Sequence, residues 1–377
     1  LYNGLVTKTS LVETEGGTAS MERVSDGSYG VEIAVKVTIP RPATTLAEFA
    51  RINPDLPRVL PGFPVLLETA ATSGFYHQLY DNKRKRIQRD YSRLNRVLDR
   101  HNFYDCESIL ELKSPATGRR ALLIQSEMDV VSDGTDGDRM PDLDAYIANS
   151  ANFQPSTGYM WKKKTAQPNP LLSRYTDAIA RDEALLKKPG TSAVAKQTLE
   201  AKLDINRRIA NDLRVWSYLI AEADPFIVIP LSIVQQRRNS PFAPQVGDYA
   251  VVIHGGRLFP TIVGDVGPTY KAGEASLRLC KEINPQATVY SRPESDLHVT
   301  YLYFPGTADS QRDAPDLERW HQRCGELLEE IGGVGEGVEL HRWKDWFAPE
   351  PIEEVQATPL ENGAEGSPPA SGEEPQE

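Results

Sequence analysis

The sequence predicts an α+β protein whose β-rich core, a compact barrel or twisted antiparallel sheets, carries peripheral helices and a helical-hairpin insertion. Three observations lead there. Two β-branched runs, residues 249–254 and 257–263, flank Gly255-Gly256, a dipeptide that signals a tight hairpin. Residues 29–39 alternate strictly, with Val31, Ile33, Val35, Val37 and Ile39 on one face and Glu32, Ala34, Lys36 and Thr38 on the other. Residues 73–100 and 176–221 instead repeat apolar side chains at helical spacing. With 377 residues, 40% hydrophobic and 25% charged, the chain can bury one large domain with additions, or two.

Taken in order, residues 29–39 read as a half-buried strand, with residues 5–13 a weaker candidate to pair with it. Pro40 and Pro42 end it, and Thr45 with Glu48 three residues on forms a capping box that opens a short helix. A proline-rich link over 53–64 leads to a long helix over 73–100, which sets Leu79, Ile87, Tyr91, Leu94 and Leu98 near one face. Its eight basic residues, Lys83, Arg84, Lys85, Arg86, Arg89, Arg93, Arg96 and Arg100, read as the solvated side of an amphipathic helix. A nucleic-acid partner is not expected, since the chain is acidic and carries no nucleic-acid motif. The core is built from 108–125, 226–234, 249–263 and 298–304, with a helix over 318–331 packing through Trp320, Leu327, Leu328 and Ile331.

Between them, 176–188 and 191–221 form two helices split by Pro189-Gly190, a lid or docking arm beside a cleft, or a cover for a sheet edge. The expected organisation is therefore an N-terminal strand and helix extension (1–104), a main domain (105–347) with an insertion over about 150–214, and an acidic, disordered tail (348–377).

Charge supports that division. Of the net charge of −11, eight glutamates without any compensating base lie in the last 30 residues, so only −3 belongs to the rest. No run approaches the ~18 apolar residues of a membrane span, and no signal peptide is visible. The opening at Leu1 rather than Met suggests that a leader was removed, and with it a secreted or envelope location. Three cysteines, Cys106, Cys280 and Cys324, allow at most one bridge, or are simply small buried hydrophobes. No zinc spacing, serine-hydrolase elbow or phosphate-cradling loop occurs, so neither a metal nor a cofactor is expected. His254 and His298 fall in or beside strand patterns and read as satisfied edge or core residues.

The segment 264–276 carries the chemistry. It puts Asp265 and Glu274 nine residues apart across a Gly/Pro-rich turn, the first leaving a strand and the second returning beyond a loop. Two carboxyls, one protonated to release a leaving oxygen and one ionised to activate water, are what glycoside hydrolysis requires. Spacing alone is weak, because 53 acidic residues make such pairs common. The cluster Asp129, Asp133, Asp136, Asp138, Asp142 and Asp144 reads first as turn chemistry after an apolar strand ending at Gln125, with Ca²⁺ or ammonium binding as alternatives. Tyr159 and Trp161, beside three lysines, offer rings for sugar stacking or ordinary surface packing.

Four segments in order raise the odds: 121–134 (ALLIQSEMDVVSDG), 223–230 (ADPFIVIP), 249–276 and 296–307 (DLHVTYLYFPGT). Together they resemble the fungal-type chitosanases of glycoside hydrolase family 75 over roughly residues 105–310. The resemblance implies that Asp265 and Glu274 are the catalytic pair, that Asp129 and Asp133 lie at substrate-binding positions, and that a β-1,4-linked amino-sugar polymer, chitosan, is cleaved internally with inversion. Glu274 is then the acid and Asp265 the base, or the reverse, with carboxyls ~6.5 to 9.5 Å apart. Two departures stand out. Where the family reads M-D-x-D-C-D-G, this chain has Met128-Asp129-Val130-Val131-Ser132-Asp133-Gly134, which removes one Asp and a Cys and any disulfide made there. The roughly 60-residue insertion is the other. Hydrolysis of a different cell-wall glycan, and a non-catalytic glycan-binding or envelope protein that kept the fold, are the alternatives.

Overall fold

A computed structural model describes residues 8, 10–93, 104–140 and 142–348. Its ten strands are β1 (Ala71–Thr72), β2 (Cys106–Lys113), β3 (Arg120–Val131), β4 (Met160–Lys162), β5 (Trp216–Tyr218), β6 (Phe226–Pro230), β7 (Tyr249–His254), β8 (Arg257–Gly267), β9 (Glu274–Ser276) and β10 (Glu294–Tyr303). Six of them close on themselves in the order β3-β10-β7-β8-β6-β9 and back to β3. The molecule is thus an α+β protein with a six-stranded barrel at its centre.

The twelve residues of β3 make closure possible. Its first part pairs antiparallel with β2, from Lys113 opposite Arg120 to Cys106 opposite Ser126; beyond the end of β2, Asp129, Val130 and Val131 pair in parallel with Glu274, Ala275 and Ser276 of β9. The Gly255-Gly256 turn joins β7 to β8 as expected, both glycines at positive φ. Alternation divides the core into two layers. Ile227 and Ile229 of β6, Ala250 and Val252 of β7, and Tyr301 and Tyr303 of β10 belong to one cluster. Tyr303 reaches from β10 to the strand opposite in the ring, donating its hydroxyl to the Val228 carbonyl at 3.3 Å. Val228, Val251, Ile253 and Leu302, on the other face, belong to the second cluster, with Phe49, Phe63 and Trp320 from the flanking helices.

The helices follow the sequence closely in places. Thr45 accepts from the Glu48 amide at 3.3 Å while Glu48 accepts from the Thr45 amide at 3.1 Å, the two halves of the capping box. The Leu317–Glu329 helix buries Trp320, Leu327 and Leu328 against β7 and β8. In the Gly74–Ser92 helix the bases meet acids: Arg84 and Lys85 reach Asp81 at 2.5 and 2.6 Å, and Arg89 reaches Asp90 at 3.1 Å. The expected continuation of that helix past residue 93, most of the acidic tail and part of 5–13 lie outside the described residues.

Three expectations are corrected. Residues 29–39 form no strand ladder among the described residues, because a two-residue period decides which face each side chain would take without supplying a partner strand. The second hairpin helix ends at Val215 instead of Ala221: Trp216, Ser217 and Tyr218 leave it to pair with β4. The strand expected to stop at Gln125 runs on to Val131, so Asp129 lies in a ladder and not in a turn. The described residues up to Lys344 form one compact unit, and those from Asp345 on belong to a second, in which the Phe347 amide donates to Asp345 at 2.8 Å.

Candidate active site

Asp265 lies two residues before the end of β8, and Glu274 is the first residue of β9. β6 runs between those strands, and register pairs Asp265 with Val228, Val228 with Glu274, and Glu274 with Asp129 of β3. Register partners share a face of a sheet, so three carboxylates and one valine form a row across four neighbouring strands. Asp265 and Glu274 are two strands apart, about 10 Å between α-carbons at the usual ~4.8 Å strand spacing. The row needs a small residue at 267: a β-carbon on Gly267 would sit 2.5 Å from Glu274 Oε2 and 3.0 Å from Val228 Cγ1. Gly273, just before Glu274, has φ of 78°, and a β-carbon there would meet the Glu127 carbonyl at 2.1 Å, so the chain enters β9 along a path that only glycine allows.

Asp133 joins the row from beyond the end of β3. Its Oδ1 accepts from the Gln154 amide at 2.7 Å. Burial pushes its carboxyl up to about 8, helped by the charges of Asp265 and Glu274 and opposed by that amide and Lys271. Burial likewise pushes Asp265 up to about 6, against the pull of the Val266 and Gly158 amides, each 2.8 Å from Oδ1. Glu274 is only 7% exposed, and burial raises its pKa although Lys271 opposes the rise. The four residues that the sequence singled out, Asp129, Asp133, Asp265 and Glu274, therefore come together in one electrostatic unit.

The cations of this unit were not foreseen from the sequence. Lys271 bridges two members of the row, touching Asp129 Oδ2 at 3.0 Å and ion-pairing with Glu274. Burial disfavours its charge, but the two carboxylates prevail and raise its pKa. Arg292, from the loop before β10, pairs with Glu127 and approaches Asp129 at 3.5 Å. The turn between Asp265 and Glu274 is pinned from outside by the Gly74–Ser92 helix. Asn82 donates to the Thr269 carbonyl at 2.9 Å, Lys83 to the Tyr270 carbonyl at 2.6 Å, and the Arg86 guanidinium lies 3.9 Å from the centre of the Tyr270 ring. Lys83 is itself buried, in a 2.7 Å ion pair with Asp105. One signal for Lys271 was present: a lysine three residues before Glu274 inside the most specific segment.

Three further acids of the 129–144 stretch, Asp136, Asp138 and Asp144, are committed elsewhere. Asp136 and Asp224 hold Arg139 between them at 2.6 and 2.8 Å, Asp138 binds Lys163 at 2.8 Å, and Asp144 caps the Ala145–Ala148 turn. Tyr159 and Trp161 are buried in the core, so neither ring is offered to a sugar. The three cysteines are free and buried. His254 accepts or donates at 3.0 Å to Glu294, an edge pairing of the kind expected. Among the described residues, Glu294, Asp296 and His298, on alternate positions of β10, bring ligand atoms within 4.8 Å of one another, the glutamate half-buried and the other two exposed.

A family model for the fungal chitosanase of glycosyl hydrolase group 75 matches residues 128–336, more than half of the 377-residue chain. The chain belongs to this family. It is a glycoside hydrolase of chitosanase type. The group 75 match opens at Met128, one residue before Asp129, and takes in the insertion, the hairpin β7–β8, the Asp265 and Glu274 segment and the Leu317–Glu329 helix. Relative to the resemblance read from sequence it begins later, leaving out β2 and most of β3, and extends further, to Glu336. No curated protein matches the chain.

Proposed function

We propose that this group 75 enzyme cleaves a β-1,4-linked amino-sugar polymer, chitosan, within the chain and with inversion, using Asp265 as general base and Glu274 as general acid. The observation that carries the reading is the shared row: two carboxyls on one face, two strands apart, with a third from Asp133 beside them. A two-strand separation suits the ~6.5 to 9.5 Å of an inverting pair better than the ~5 to 5.5 Å of a retaining one, because a water has to fit between base and sugar.

Asp265 accepts two backbone N–H groups, which favour its ionised form near neutrality, as a base requires. Glu274 is the more buried of the two, and that burial, together with the negative charge of Asp129, favours retention of a proton for the leaving oxygen against the opposing pull of Lys271. We read Asp129 and Asp133 as substrate-binding groups, Asp133 as a largely protonated carboxyl that can hydrogen-bond a glucosamine amino or hydroxyl group. We read residues 105–347 as the domain that holds this machinery. A polymer of this kind is met outside the membrane, so we place the enzyme as secreted or held in the envelope.

The test is reducing-end release from partly acetylated chitosan by the wild type, Asp265→Ala and Glu274→Gln, with the anomer of the first product followed by NMR. Loss of activity in both variants and release of the inverted anomer are expected. A retained anomer, or full activity in either variant, would overturn the assignment. If the wild type leaves chitosan intact and cleaves another cell-wall glycan, the pair stands and the substrate changes.

A further inference from the structure

Residues 29–39 have the chemistry of a strand and, among the described residues, no partner strand. Residues 30–42 belong to no regular element, and side chains hold the segment near its C-terminal end, where Tyr104 donates to the Thr38 carbonyl at 2.8 Å and Tyr76 to the Pro40 carbonyl at 3.3 Å. Its apolar face stays largely open: Val31 is 72% exposed, Ile33 45%, Val35 41%, Val37 39% and Ile39 49%. Val31, Ile33, Val35 and Val37, together with Ile87 and Tyr91 of the Gly74–Ser92 helix, line a groove of about 580 Å³. Among the described residues of the strand-like candidate at 5–13, Leu11 and Val12 are 85% and 81% exposed and do not cover it. An unpaired, β-branched edge of this length is a template for another strand.

We infer that the occupant is a second copy of the same segment, paired antiparallel about a two-fold axis at Ala34. The charges select this arrangement. Centring the ladder on residue 34 places Glu32 of each copy opposite Lys36 of the other, twice over, and sets Val31 against Val37 and Ile33 against Val35. A parallel in-register pair would put Glu32 against Glu32 and Lys36 against Lys36. A slip of one residue would turn the apolar side chains to the opposite face, and a slip of two would leave both charges without counterparts. Ala34 faces its own copy on the axis, where a small side chain allows close approach. Pro40 and Pro42 end the ladder. Pairing lays the two apolar faces side by side as one surface along the helices, an isologous contact that closes at the dimer.

The experiment is sedimentation of the full chain over a range of concentrations, for the wild type, Glu32→Lys, Lys36→Glu and their equimolar mixture. Both residues are exposed and distant in sequence from the acidic row, so folding and hydrolysis serve as unchanged controls. A wild-type dimer is expected, weakened about tenfold or more in either single variant, where two attractive pairs become repulsive. Mixing the two variants restores the dimer, because the copies now carry complementary signs. A wild type that stays monomeric at ~100 µM overturns the inference, as does a dimer indifferent to the single variants or not regained on mixing.

Discussion

Asp133 and Asp138 lie five residues apart in the same connection and meet opposite fates. Asp138 is only partly buried, and Lys163, the Thr165 hydroxyl and the Lys164 amide outweigh that burial and draw its carboxyl down to about 2. Asp133 receives one backbone amide and the negative charges of Asp265 and Glu274, and burial carries it up to about 8. Residue type and loop are the same. What differs is whether a cation is built alongside, and that decides between a carboxylate that anchors a fold and a carboxyl that can exchange a proton near neutral pH.

If the contrast is real, substitutions on the two sides should fail differently. The largest effect is expected at the row: Glu274→Gln and Asp265→Ala should each lower turnover on chitosan by about 10³-fold or more while melting temperature holds or rises, measured side by side. A comparable loss in Asp138→Asn would break the distinction. Next comes Lys271→Met, which leaves Asp129 and Glu274 facing each other without the cation they share. It should cost about 3 to 5 kcal/mol in denaturant unfolding, more than either carboxylate variant.

A smaller and more diagnostic effect is pH dependence. A carboxyl whose folded pKa stands above its unfolded value holds its proton more tightly in the native state. The stability it contributes is full below about pH 4 and is lost as pH rises through the folded value. Asp265, at about 6, and Asp133, at about 8, should therefore make the protein less stable between roughly pH 4 and 8, and Asp133→Asn should flatten the upper part of that decline. On the same basis kcat/KM should rise with pH through about 6 as Asp265 ionises. A limb at the ordinary aspartate value would show that burial does not tune the base.

Much of this site was legible in the sequence because its carriers are local. The β7–β8 hairpin has its glycine turn, Asp265 ends a β-branched run, and a glycine precedes Glu274. The register row was not legible, since it depends on β6 entering between β8 and β9 and on β3 outrunning β2, both long-range events that no local pattern encodes. Lys83 illustrates the same gap. Among eight basic residues on one helix it looked like part of a solvated face, yet the fold buries it against Asp105 and the 267–273 turn, because a helical face near Ile87 and Leu79 can also meet a loop. Residues 29–39 err in the other direction. Their pattern is cleaner than that of 249–254, but only the latter finds neighbours on both edges, β8 and β10.

The smallest expected effect completes the comparison from the structural side. Asp138 titrates with the opposite sign to Asp133: its folded pKa lies below the unfolded value, so its contribution is present above about pH 4 and fades as pH falls through about 2. Asp138→Asn should then cost about 1 to 2 kcal/mol at pH 7, a value set below the full pKa difference because the amide keeps one acceptor for the Lys164 N–H and water screens part of the charge. Toward pH 2 the gap between variant and wild type should narrow, and turnover on chitosan should be unchanged at every pH. Parallel unfolding curves at pH 7 and pH 2.5 measure it. A constant gap at both values would mean that Asp138 acts through shape alone, and the charge-based division between the two aspartates would have to be drawn from Asp133 by itself.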